Sequence, residues 1–133
     1  MSSTWILRSL DVLFVVFHTA LIVFNLIGWA FRLTRVWNMV ALVLTGASWF
    51  ILGIFYGIGY CPFTDWHWRV LAALGETDLP RSYITYLFSR LLGVVVEPET
   101  AEVVTVLGFF IALLVSLAMN LRDRLVICKR GER

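Results

Sequence analysis

Charge is the scarcest ingredient of this sequence. Only 15% of its 133 residues are Asp, Glu, Lys or Arg, against 60% hydrophobic. A soluble domain of this size has too little interior to hide that much apolar surface. The net charge of +2 is small, and no basic stripe with interleaved aromatics occurs, so nothing points to a nucleic-acid partner. Cysteine is nearly absent as well. Cys61 and Cys128 form no CxxC pair, which removes zinc-ribbon and thioredoxin-like readings. There is no GxSxG, no P-loop and no HExxH, so no nucleophile, phosphate cradle or zinc-protease site is written in the chain. Internal repeats and low-complexity stretches are missing too.

Long apolar runs are what the sequence does have. Leu10 to Phe31 is interrupted only by Asp11, His18 and Asn25; Val36 to Tyr60 and Val103 to Leu121 hold no ionisable residue. Each approaches or exceeds the roughly 20 residues that cross about 30 Å of hydrocarbon as a helix. Runs this long are not barrel strands, so helices are the remaining way to close backbone hydrogen bonds in lipid. The expected fold is one all-α integral membrane domain, residues 1–133, with spans at 10–31, 36–60 and 103–121. The first run exceeds a signal-peptide core of about 7–15 residues and is followed by no clean cleavage site, so it reads as a span.

The basic residues give the orientation. Arg32 and Arg35 in the first connection share a side with Arg122, Arg124, Lys129, Arg130 and Arg133 in the tail, 122–133. Arg8, Arg69, Arg81 and Arg90 fall on the other side, with most of the acids. The richer basic side is expected in the cytoplasm, with the amino terminus outside. Cys61 and Cys128 then lie on opposite sides, which argues against a disulfide between them. Glu97, Glu99 and Glu102, with Pro98 in a first-turn position, open the third span on its favoured acidic end.

The stretch 61–93 is too polar to cross and too apolar for a free loop. Phe63, Trp66, Val70 and Leu74 share one helical face, with Gly75 as a stop. Ile84, Leu87, Phe88, Leu91 and Leu92 share another, ended by Gly93, with Ser82 and Ser89 on the solvent side. Two short interfacial helices forming an outer cap are expected, with Trp66, Trp68, Tyr83 and Tyr86 at headgroup depth. The competing reading is a fourth span over Ser82 to Val96, which is short and contains Arg90.

Asp11, His18, Asn25 and Arg32 recur every seven residues and so share one face of the first helix. Polar residues inside a span usually face the bundle, either as interhelical hydrogen bonds or as functional groups. Gly46, Gly53 and Gly57 in the second span, and Gly108, Ala112, Ser116 and Asn120 in the third, let backbones approach closely, within the chain or against a partner. After the second span comes Cys61-Pro62-Phe63-Thr64-Asp65-Trp66-His67-Trp68-Arg69. Pro62 ends one helix, and Thr64 or Asp65 can cap the next. Cys61, Asp65 and His67 are metal-ligand types, but their spacing fits no ligand signature, so no metal is assigned. If the segment dips inward, His67 approaches His18, and two imidazoles then suit a haem b iron or the flanks of a quinone.

His18 followed by Gly28, the basic turn, the second span and the Cys61-Pro62-x-Thr64 turn together resemble a family of small bacterial membrane proteins, domain of unknown function 2784. Tyr83-Ile84-Thr85-Tyr86-Leu87 is similar to the family's later aromatic motif, so the resemblance covers residues 10 to 121. The chain departs from the family's usual acidic residue near His67 and from its frequent second membrane histidine. The resemblance implies a bacterial inner-membrane location and the same topology, and carries no activity with it. The leading expectation is therefore a non-catalytic accessory or scaffolding subunit, in contact with the bilayer and with other membrane subunits or a second copy. The alternatives are a haem- or quinone-linked redox protein using His18 and His67, and an outer-leaflet lipid or small-molecule binder.

Overall fold

The computed structural model describes residues 2–131, and every regular element among them is helical. Arg133 of the basic tail lies outside the described residues. Helix α1 covers Ser2–Ile27 and ends in a 3-10 turn, Gly28–Ala30. Helix α2, Arg35–Ala47, continues through a π turn, Ser48–Leu52, into α3, Gly53–Tyr56. Helices α4, Pro62–Ala73, and α5, Tyr83–Leu92, are short, and α6 is Pro98–Gly131. Three units are long and apolar enough to cross a membrane: Ser3–Ala30, Arg35–Tyr56 and Pro98–Gly131.

The helices do not stop where the apolar runs stop. α1 begins at Ser2 instead of Leu10, and α6 begins at Pro98 and runs through the basic tail. Once a helix is nucleated, each further residue adds a hydrogen bond, so it propagates past the lipid-facing part. With 34 residues, α6 is about 51 Å long and outruns a hydrocarbon core of about 30 Å. The second span ends earlier, at Tyr56 instead of Tyr60. Gly57 and Gly59 sit at φ +106° and +87° and turn the chain back. The Gly59 N–H then donates to the Trp49 carbonyl at 3.2 Å, and the Ser48 hydroxyl donates to the Tyr60 carbonyl at 2.9 Å.

The α1–α2 turn shows how a helix end survives close to lipid. The last carbonyls of a helix lack internal partners, and side chains supply them here. Asn38 Nδ2 donates to the Phe24 carbonyl at 2.7 Å and the Asn25 carbonyl at 3.3 Å. Thr34 Oγ1 donates to the Gly28 carbonyl at 2.6 Å, and Arg35 Nε to the Trp29 carbonyl at 2.9 Å. Arg35 also grips both oxygens of Asp123 on α6, at 2.8 and 2.7 Å, which ties the turn to the third span.

Small residues are used inside the chain. Leu42, Phe109 and Ala112 form one buried cluster between α2 and α6, with Trp49 and Leu113 against it. Gly46 leaves room for the Phe109 ring, whereas a Cβ at Gly108 would meet Leu26 of α1 at an ordinary contact distance of 3.5 Å. Ser116 is fully buried on the same α6 face. The Gly53–Gly57 pair does not pack helices. Gly53 closes on the Ile58 backbone, and Gly57 has open space where a side chain would stand. The small-residue face of α6 and Gly46 of α2 are therefore filled within the chain, whereas many Val, Leu and Phe side chains of the spans are exposed, as contact with lipid requires.

Candidate functional site

Asp11 is the centre of the site. Its position on α1 brings it to the inner sides of α4 and α5. His67 Nε2 meets Asp11 Oδ1 at 2.8 Å, and His67 Nδ1 meets Tyr83 Oη at 2.7 Å. A carboxylate only accepts, so Nε2 carries the proton and Nδ1 accepts from the Tyr83 hydroxyl. Arg90 donates to both oxygens of Asp11, at 2.6 and 2.7 Å, and Arg90 also reaches the Tyr86 hydroxyl. Two-point pairing of this kind is the strongest arrangement open to a guanidinium and a carboxylate. His67 is fully buried, and Asp11 and Tyr83 are buried beside it.

The surrounding rings hold the network in place. Phe14 stacks on His67 with centroids 5.4 Å apart, Trp68 packs on Tyr83 at 5.1 Å, and His18 stacks on Tyr83 at 4.1 Å. Val15, Tyr83 and Leu87 form a buried cluster that pins α5 against α1. His18 Nδ1 is buried without a hydrogen-bond partner.

Burial pushes His67 below its ordinary value of 6.5, although the bond to Asp11 pulls the other way. The hydrogen bond to Asp11 is the main reason that Arg90 is held more firmly protonated than usual, and burial raises Tyr83 and Tyr86. The folded chain thus takes up a proton at His67 less readily than the unfolded chain does. Stability from this group is complete above about pH 6.5 and is lost as pH falls towards the lower folded value. Melting temperature in detergent should drop as pH falls below about 6.5, and His67→Gln should flatten that part of the profile. A melting temperature that rises on acidification would contradict the neutral His67.

The sequence candidates separate into three groups. Asp11, His18 and His67 come together as described. Asn25 turns to α2, where its Nδ2 donates to Thr45 Oγ1 at 3.1 Å, and Arg32 lies beyond the end of α1. Cys61 is the residue before α4 and Pro62 its first. Thr64 and Asp65 are not caps, because helix α4 already starts at Pro62 and no side chain caps it. Asp65 pairs along α4 with Arg69 at 3.0 Å, and Arg69 is exposed. Both cysteines are free. An axial bond from His67 to a haem iron would cost it either Asp11 or Tyr83, so the ring as placed does not fit that role. Among the described residues no three His, Cys, Asp or Glu side chains gather as a metal site.

Each cap helix turns one face to the protein. On α4 the inward residues are His67 and Leu71, and Trp66 is exposed. On α5 the inward residues are Tyr83, Thr85 and Leu87, while Phe88, Leu91 and Leu92 are exposed. Ser82 is buried and caps α5 by accepting from the Thr85 N–H, whereas Ser89 stays exposed. Sequence reasoning missed Arg90, Tyr83 and Tyr86 as members of the site. The available signal was an Asp and an Arg, each alone in an apolar stretch, which low polarity drives to pair.

Above the Asp11–Arg90 pair a cleft of about 590 Å³ opens between α1, the end of α4 and α5. Arg8, Glu76 and Asp78 line its polar side, and Val12, Leu71 and Leu79 its apolar side. On the other flank of α5 lies an apolar groove of about 180 Å³, bounded by Thr19, Ile22 and Val23 of α1 and by Ile84, Leu87 and Leu91 of α5.

These features define a helical membrane protein whose two short helices are locked onto the first of three spanning helices by a buried Asp–His–Tyr–Arg network. The chain belongs to the family described as Protein of Unknown function (DUF2784), whose pattern matches residues 8–121. No curated protein and no solved structure matches it.

Proposed function

We propose that this protein binds one amphipathic molecule of the bilayer in the cleft between α1, α4 and α5, without catalysing a reaction. The observation that supports this most directly is the cleft itself. Its volume of about 590 Å³ lies within the range of about 300–1,000 Å³ typical of small-molecule sites, and it combines apolar walls with a few fixed charges. The network below it is satisfied internally, so Asp11, His67 and Arg90 serve as a rigid floor. The location we propose is the inner membrane of a bacterium, with the cap outside and the carboxyl end in the cytoplasm, supported by the excess of Lys and Arg beside α2 and in α6.

A second reading, a subunit of a larger membrane complex, draws on α6. Its last turns project beyond the span and carry Arg122, Arg124, Lys129 and Arg130 beside exposed Leu125, Val126 and Ile127. Purification in mild detergent followed by mass spectrometry of bound molecules tests the first reading. One molecule per chain is expected, lost on Ser89→Trp, which fills the cleft. A chain free of ligand that instead retains protein partners would favour the second. A reporter fused after Arg133 should be active only in the cytoplasm, and activity outside would reverse the orientation.

A further inference from the structure

Resting on that reading, we propose that the bound molecule is a zwitterionic phospholipid with a primary ammonium headgroup, lying along α1. The first observation is the sign of the charges in the cleft. Arg90 and Asp11 neutralise each other through two hydrogen bonds and leave little field for a ligand. Arg8, Glu76 and Asp78, by contrast, make no ion pair among the described residues. A cation and two carboxylates on one rim match a headgroup that carries a phosphate and an ammonium together. Arg8 suits the phosphate, as a guanidinium with several donors. Glu76 and Asp78 suit an ammonium, whose three N–H groups need acceptors. An anionic headgroup would give Arg8 a phosphate but leave the two carboxylates without a cationic partner.

The second observation is independent of charge. Arg8, Val12, Val16, Thr19 and Val23 recur at spacings of four, four, three and four, so they share one face of α1. Val12, Val16 and Val23 are exposed on that face. It leads from the polar cleft at Arg8 and Val12 to the apolar groove at Thr19 and Val23. Fifteen residues of helix rise about 22 Å, which equals half of a bilayer about 40–45 Å thick with its headgroups. One leaflet lipid therefore spans from the cleft to the groove, with its headgroup among Arg8, Glu76 and Asp78 and a chain against Ile22 and Leu91. A soluble headgroup alone would leave the groove unused.

Native mass spectrometry of the purified full chain, titrated with phosphatidylethanolamine, phosphatidylglycerol and free phosphoethanolamine, tests this. The expected result is binding of phosphatidylethanolamine at least tenfold tighter than phosphatidylglycerol, with no binding of phosphoethanolamine at matched concentration. Glu76→Gln with Asp78→Asn should abolish that preference, and Arg8→Gln should weaken both lipids. These are surface positions, so melting temperature should stay near wild type. Tighter binding of phosphatidylglycerol, or a preference that survives the double substitution, overturns the zwitterion assignment and leaves the cleft as a ligand site. Equal binding of free phosphoethanolamine overturns the lipid. No retention of any of the three, together with no bound molecule after purification, overturns both this inference and the ligand reading.

Discussion

Asp11→Leu should be the most damaging single substitution in the chain. It strips Arg90 of both its acceptors on Asp11 and leaves the buried His67 Nε2–H facing nothing. Removing one partner of a buried ion pair costs about 3–5 kcal/mol. The Arg90 side chain is 34% exposed, which places the expected loss near the lower end of that range, about 3 kcal/mol. Thermal melting followed by tryptophan fluorescence should show it, since Trp66 and Trp68 sit on the displaced helix α4. The double variant Asp11→Leu with Arg90→Leu should recover much of the loss, because two apolar side chains need no partner there. Strict additivity of the two single effects would mean that the pair is not coupled and that the cap is held by packing alone.

Gly28→Val should be nearly as harmful, at the opposite end of the bundle. A Cβ at Gly28 would stand 2.9 Å from Asn38 Nδ2, 3.0 Å from the Phe24 ring and 3.1 Å from Asn38 Cβ. Asn38 is fully buried and holds the last carbonyls of α1, so it cannot step aside without leaving them bare. Overpacking costs about 1–3 kcal/mol, and each buried polar group left without a partner adds about 1–3 kcal/mol. A total near 3 kcal/mol is expected in the same melting experiment. Gly108→Ala is the control. The nearest atom to its Cβ is on Leu26 at 3.5 Å, an ordinary contact, and melting should hardly change. If both variants melt alike, the α1–α2 turn is looser than its hydrogen bonds indicate.

Much of the architecture was legible in the sequence because it depends on length and local chemistry. Three apolar runs gave three spans, and Gly75 and Gly93 ended the cap helices where a positive φ was needed. The heptad spacing of Asp11, His18 and Asn25 placed all three towards protein. Pro62 does not end the second span, which Gly57 already closes after Tyr56; it opens α4, a first-turn position that needs no N–H from it. The limits of the helices were not readable to the same degree. An apolar run marks contact with lipid, whereas a helix continues for as long as its backbone bonds can form.

The faces of α4 and α5 were decided by the tertiary structure alone, and the reason is the solvent. Periodicity puts Phe63, Trp66 and Val70 on one face of α4, and Phe88 and Leu91 on one face of α5, and leaves open which side meets protein; Phe63 packs on Phe17, whereas Trp66, Phe88 and Leu91 are exposed. Next to lipid, apolar side chains gain little from being inside, since hydrocarbon is as good a neighbour as protein. Polar groups gain far more, because the protein holds the only partners. His67 therefore turned α4, and Tyr83 and Arg90 turned α5, towards one carboxylate. Asp11 and Arg90 stand 79 residues apart in the chain. Composition and periodicity determined that two lone charges had to find partners; only the folded arrangement of α1, α4 and α5 decided that they would find each other.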